Sequence, residues 1–159
     1  MGYTTLFKGR FEFDREIDPQ LADYINNFAK IRHVKRSVSA YKELHPDWQQ
    51  KCFDGKLGKD CEYVIDGKMW VEPNSDVIDH NEPPGNCPGL WCQWIVKNRK
   101  YLQWDGGEKF YKYTEWLEYL IKNFIAPKGY VLNGKVSYQG EDVDDKGFIE
   151  VVNNKVIVT

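Results

Sequence analysis

The sequence predicts an α+β fold, a ferredoxin-like split βαβ arrangement in which two helices cover one face of a mostly antiparallel sheet and extra β-hairpins extend it. Three observations predict it. Residues Tyr3 to Phe13 alternate, with Tyr3, Thr5, Phe7, Phe11 and Phe13 on one face and Lys8, Arg10 and Glu12 on the other, the period of a strand covered on one side. Leu21, Tyr24, Ile25, Phe28 and Ile31 recur at helical spacing behind Asp18-Pro19, a capping residue followed by a first-turn proline. Trp91 to Phe124 then gives two paired strands running into a second amphipathic helix.

The first helix is expected to run to about Arg32, where a basic cluster suits the negative end of its dipole. From Ser37 to Gly89 the periodicity weakens. A short helix around Asp47 to Cys52 and a hairpin from Tyr63 to Trp70, turning at Asp66-Gly67, are the readable elements there. Asp76 to Gly89 is crowded with turn residues and reads as a loop stiffened by prolines. The chain is therefore expected to be a single α+β domain over 1–159, with a variable middle insertion at about 37–89.

Beyond it, Cys92, Trp94 and Val96 face one way and Trp91, Gln93 and Ile95 the other, and Asn98-Arg99 makes the turn. Asp105 with Glu108 three positions on reads as a capping box that opens the second helix. Phe110, Tyr113, Leu117, Leu120, Ile121 and Phe124 form its buried stripe, and Tyr111, Glu115, Glu118 and Lys122 its outer face. Pro127 and Gly129 stop it. Tyr130 to Gln139 is another strand, and Phe148 to Val152 pairs with Lys155 to Val158 across Asn153-Asn154.

At 159 residues the chain is long enough to bury a core without disulfides or a structural metal. Cys52, Cys61, Cys87 and Cys92 lack the density of a disulfide framework and the short spacings of zinc knuckles, and are expected to be reduced. The aromatic content of 15%, with 6 Trp and 10 Tyr, is high and must fill a core or cover a binding face. No apolar run approaches the roughly 20 residues that cross a bilayer, and the first residues given lack the basic region and apolar stretch of a signal peptide. A cytoplasmic location without membrane association is expected. The formal charge of −2 argues against nucleic acid as a bulk partner while leaving room for a local basic site.

Several groups are candidate sites. Lys30, Arg32, His33, Lys35 and Arg36 put five possible cations into seven positions, enough to hold a phosphate by charge-assisted bonds, or simply a solvated helix end. Asp76, Asp79, His80 and Glu82 can approach a divalent metal if their loop folds back. Glu141, Asp142, Asp144 and Asp145 precede Lys146-Gly147 in a faintly calcium-like order, although a third acidic ligand and the terminal Glu are missing. For both acidic groups the plainer reading is a polar surface loop. Trp91, Trp94, Trp104 and Trp116 are mostly core, but alternation sends some rings to the uncovered sheet face. Trp91, Trp94, Trp104 and the outward Tyr111 are the expected partner-binding set. Motifs for phosphate loops, zinc proteases, nucleophile elbows and dinucleotides are absent, so no catalytic residue and no cofactor is assigned.

Four segments carry a resemblance: PGLWCQW at Pro88 to Trp94, WDGGEKFYKYTEWLEYLI at Trp104 to Ile121, GYVLNGKV at Gly129 to Val136 and QGEDVDDKG at Gln139 to Gly147. Together they resemble a family of small proteins of bacteriophages, prophages and their bacterial hosts to which no activity is assigned. The basic stretch Arg32 to Arg36 is similar too, whereas Tyr41 to Cys87 departs. The resemblance implies a phage setting, host-cell cytoplasm, and a non-enzymatic protein that binds a host protein, with host defence as the target. From the residues alone, the other reading is a binder of nucleotides or phosphorylated ligands, with metal-dependent hydrolysis as an extension. The oligomeric state stays open.

Overall fold

The computed structural model describes residues 2–66 and 75–159. In chain order its elements are β1 (Leu6–Phe13), α1 (Pro19–Phe28), β2 (Lys35–Arg36), α2 (Val38–Leu44), β3 (Val77–Asp79), β4 (Trp94–Lys97), β5 (Tyr101–Trp104), α3 (Tyr113–Leu120), β6 (Leu132–Gln139), β7 (Lys146–Val152) and β8 (Lys155–Val158). They fall into two compact units, one made of residues up to 26 with 93–159, the other of residues 27–92.

The first unit is a six-stranded sheet in the order β4-β5-β1-β6-β7-β8, antiparallel at every pairing. An α+β fold on a mostly antiparallel sheet is thus what the chain forms. Alternation decides its faces. Phe7, Phe11 and Phe13 on β1, Trp94 and Val96 on β4, Leu102 on β5, Leu132 and Val136 on β6, and Ile149 and Val151 on β7 are all buried. Their neighbours in sequence point the other way. Two hairpins turn on consecutive left-handed residues, Asn98-Arg99 at φ 54° and 57° and Asn153-Asn154 at 47° and 69°, the twist that matches tightly paired strands. Gly134 stands opposite Phe11 at φ +145°, and a Cβ there would meet the Phe11 Cα at 2.8 Å, so only glycine lets the two strands close under the Phe11 ring.

Helices cover the buried face. Leu21, Tyr24 and Ile25 of α1 and Trp116, Leu117, Tyr119 and Leu120 of α3 are buried, and Tyr24 meets Phe124 edge on at 5.0 Å. Helix α3 runs on through a π-helical turn at Ile121–Ile125 and a short 3₁₀ turn at Ala126–Lys128 before Gly129, at φ +81°, ends it.

Two expected helix boundaries are corrected. The second helix begins at Tyr113 and not behind Asp105, because Gly106, Lys109 and Lys112 take φ of +86°, +58° and +57°, outside the right-handed helical region, while the Asp105 carboxylate accepts the Gly107 N–H at 2.7 Å. Glu108 is held by its carbonyl, which accepts from Gln93 Nε2 at 2.8 Å. The first helix ends at Phe28 and not Arg32, since Nε2 of His33 donates to the Phe28 carbonyl at 2.7 Å and takes an acceptor that a further helical turn would need.

In the second unit β2 pairs antiparallel with β3, and α2 is capped by Ser37, whose hydroxyl accepts the Ala40 N–H at 3.3 Å. Helix α2 was invisible to periodicity because Tyr41 is its only buried residue. Tyr41, Cys52, Leu57, Cys61 and Val64 make a small core with Val38, Trp48 and Tyr63 against it. The expected helix near Asp47 is a single 3₁₀ turn at Trp48–Lys51. From Gly67 onward the expected Tyr63 to Trp70 hairpin lies outside the described residues.

Candidate functional site

The alternation that buries Phe7 and Phe11 drives Lys8, Arg10 and Glu12 of β1 to the opposite side, where they are exposed. Register carries that surface across the whole sheet. Arg10 stands opposite Lys135, Lys135 opposite Glu150, and Glu150 opposite Ile157. In the next row Glu12 lies between Tyr101 and Asn133, and in another Ser137 lies between Lys8 and Phe148.

This face is basic although the chain as a whole carries −2. Lys8, Arg10, Lys97, Lys135, Lys146 and Lys155 are exposed on it against Glu12 and Glu150. Two of the cations lie on rings. The Arg10 guanidinium is 3.5 Å from the Tyr101 ring centroid, and the Lys135 ammonium is 4.3 Å from that of Phe148. Such contacts hold long side chains down over the strands. Between the charges, Leu6, Phe148, Val152 and Ile157 are exposed, Phe148 to 45%. A surface of fixed cations and apolar patches can attract an acidic partner and then exclude water against it.

The expected partner-binding residues lie elsewhere. Trp94 is 0% exposed, so it offers no surface to a partner. Its indole N–H donates to the Tyr113 carbonyl at 2.9 Å. Trp104 pairs with Trp94 across β4 and β5 and therefore shares its helix-side face, half-buried against Phe7 at 5.3 Å. Its N–H is shared between the Gln93 side chain and the Gly107 carbonyl. Trp91, half-buried in the second unit, lies 5.9 Å from the Arg32 guanidinium. Tyr111 is exposed, with its hydroxyl accepting the Tyr3 N–H at 2.9 Å. Trp94 and Trp104 thus belong to the helix-covered side of the sheet, and the open side carries the polar half of the alternation in β1 and β7.

The basic cluster does not gather into an anion site. Lys30 is exposed. Arg32 donates to the His80 carbonyl and the Asn81 side chain, and Lys35 approaches Glu82 at 3.9 Å. Arg36 is buried in an ion pair with Asp76. His33 is buried too, and loss of hydration, reinforced by the Arg36 charge and only partly opposed by the Phe28 carbonyl, pushes its pKa from 6.5 down to about 4. Its Nε2–H is already given to the Phe28 carbonyl.

That burial sets a pH dependence. Above pH 6.5 His33 is neutral folded or unfolded; below it the unfolded chain takes up a proton that the folded chain refuses until about pH 4. The His33 contribution should lower stability by about 3 kcal/mol through this window and by nothing further below it. Urea midpoints of wild type and His33→Gln, compared from pH 7 to about pH 4, measure it. Parallel curves would mean that His33 titrates normally.

Among the described residues no three His, Cys, Asp or Glu side chains are placed to hold a metal. Asp76 neutralises Arg36, and Asp79 accepts the Asn81 N–H at 2.8 Å. Asp145 accepts from the Tyr3 hydroxyl at 2.6 Å and Glu141 from the Thr4 N–H at 2.7 Å, so the second acidic loop ties down the N-terminal segment. Asp142 and Asp144 are exposed beside it. All four cysteines are buried and none is joined in a disulfide, and burial pushes the thiol of Cys61 up to about 12, far from a reactive thiolate. No helix among the described residues is long and apolar enough to cross a membrane. Comparison with family models, curated proteins and solved structures finds no match.

Proposed function

We propose that the chain is a non-enzymatic binding protein that docks an acidic surface of a protein partner on the open face of its sheet. The observation that carries this reading is the excess of exposed cations on a face that no element of its own unit covers, interleaved with Tyr101, Phe148 and Ile157. Charge complementarity over such a face favours rapid encounter and selects against basic partners. The resemblance of Pro88 to Trp94 and Trp104 to Ile121 to phage and prophage proteins supports a bacterial host protein as the partner, with a defence protein as its class.

A ferredoxin-like reading of the sheet is supported by its strand order. In chain order α1 follows β1 and leads on to β4, and both strands flank β5 antiparallel; α3 joins β5 to β6, and both flank β1. Each βαβ pair is thereby split by one strand of the other. Residues 27–92 enter between α1 and β4, and β7 and β8 extend the sheet beyond β6.

The test is a triple charge reversal, Lys8→Glu, Arg10→Glu and Lys135→Glu, read by quantitative capture from host lysate alongside thermal melting. All three residues are exposed, so the melting temperature should change little. Capture of the wild-type partner should weaken about a hundredfold, from roughly 1 kcal/mol for each reversed charge, and wild-type capture should weaken with added salt. Undiminished capture by the folded variant would remove the open face as the docking surface.

A further inference from the structure

A six-stranded antiparallel sheet has two edges, and here they are treated differently. At β4 the edge is closed by one side chain: Asn26 donates through Nδ2 to the Val96 carbonyl at 3.1 Å and accepts the Val96 N–H on Oδ1 at 2.7 Å. An amide thus occupies the place of a neighbouring strand, a common way to block unwanted pairing. At the other edge, β8 has only β7 beside it among the described strands. Phe148 and Thr159 exchange both backbone bonds, at 3.0 and 2.9 Å. By the alternation of an antiparallel ladder, Ile157 with Glu150 and Lys155 with Val152 do the same. The N–H and C=O groups of Val156 and Val158 therefore point out of the sheet. The strand is apolar as well as open, with Ile157 39% and Val158 48% exposed.

We propose that β8 pairs antiparallel with β8 of a second copy of this chain, across a two-fold axis through Ile157. In that register Val156 of each copy lies opposite Val158 of the other, and these are the residues whose backbone groups face outward. They form two reciprocally bonded pairs. Ile157 meets its own counterpart at the axis, on the open face of both sheets, and Lys155 falls opposite Thr159 and not opposite another lysine. Centring the axis on Val156 instead would set Val158 against Asn154, which sits in the turn at φ 69°, and half of the bonds would be lost. The dimer joins two six-stranded sheets with both basic faces on one side, an isologous contact of the kind that closes on itself.

Sedimentation velocity of the full chain over a wide range of concentration tests the pairing. Wild type should show a reversible monomer–dimer equilibrium. Val158→Pro removes the outward N–H without touching the ladder to β7, so the fold should survive, because an edge strand tolerates proline on its solvent side. It deletes two of the four intermolecular bonds and should weaken the dimer about thirtyfold, at about 1 kcal/mol per bond. Ile157→Lys, which sets two ammonium groups against each other on the axis, should abolish it without any backbone change, and so decides the matter if the proline variant fails to fold. A wild type that stays monomeric throughout, or a dimer that survives Ile157→Lys, would overturn the proposal. Neither result depends on capture of the acidic partner.

Discussion

Replacing Trp94 with alanine is expected to destabilise the protein by about 3–5 kcal/mol, the range for emptying a fully buried large aromatic site. The ring is packed from several sides at once. Phe7, Phe11 and Phe110 lie edge on to it at centroid distances of 5.5, 5.6 and 5.3 Å, so the three rings cannot all move into the space that its loss would leave. The hydrogen bond from its indole to the Tyr113 carbonyl goes as well, and that carbonyl lies in the first turn of α3, which couples the sheet to the start of the helix. Trp94→Phe, which keeps a ring but not the donor, should cost less than Trp94→Ala. The check is the urea midpoint at constant m-value. Because Trp94 has no exposed surface, partner affinity of the folded variant should be unchanged. A loss below about 1 kcal/mol would mean that the aromatic cluster is not the centre of the core.

Breaking the Arg36–Asp76 pair is expected to have an effect of similar size in the second unit. Asp76 is completely buried and Arg36 nearly so. Asp76→Leu leaves a guanidinium and Arg36→Met a carboxylate without its counter-charge, and each should cost about 3–5 kcal/mol. Among the described residues the Asp76 Oδ1 has no hydrogen-bond partner, and the contact to Arg36 runs through Oδ2. The double variant Arg36→Met with Asp76→Leu removes both buried charges and should be more stable than the sum of the single losses implies, since most of each loss is the stranded partner. A double-mutant cycle by urea denaturation measures this. Strict additivity would show that the two side chains do not act as a pair.

That pair also shows how far the candidate sites could be read in advance. Along the chain Arg36 stands with the cations of Lys30 to Lys35, and Asp76 with Asp79, His80 and Glu82. In space the two residues neutralise each other. Charge density along a chain says that a group is available only if nothing of opposite sign is folded against it, and β2 lies beside β3. The open sheet face was half legible. Its cations appeared as the polar half of β1, but the role expected of Trp94 and Trp104 there was a matter of which face the helices cover.

Sequence by itself determined the features that depend on bonds between near neighbours: the alternation of β1, the stripe from Phe110 to Phe124, the Asn98-Arg99 and Asn153-Asn154 turns, and a proline-led start at Pro19. Those follow from residue period and local backbone preference. Tertiary structure decided what depends on partners distant in sequence. Gln93 holds the Glu108 carbonyl ahead of α3, Asn26 shuts the β4 edge, and register assembles Lys8, Arg10 and Lys135 into one basic face. In each case a hydrogen bond or strand pairing with a remote residue outweighs a local preference worth only about 1 kcal/mol.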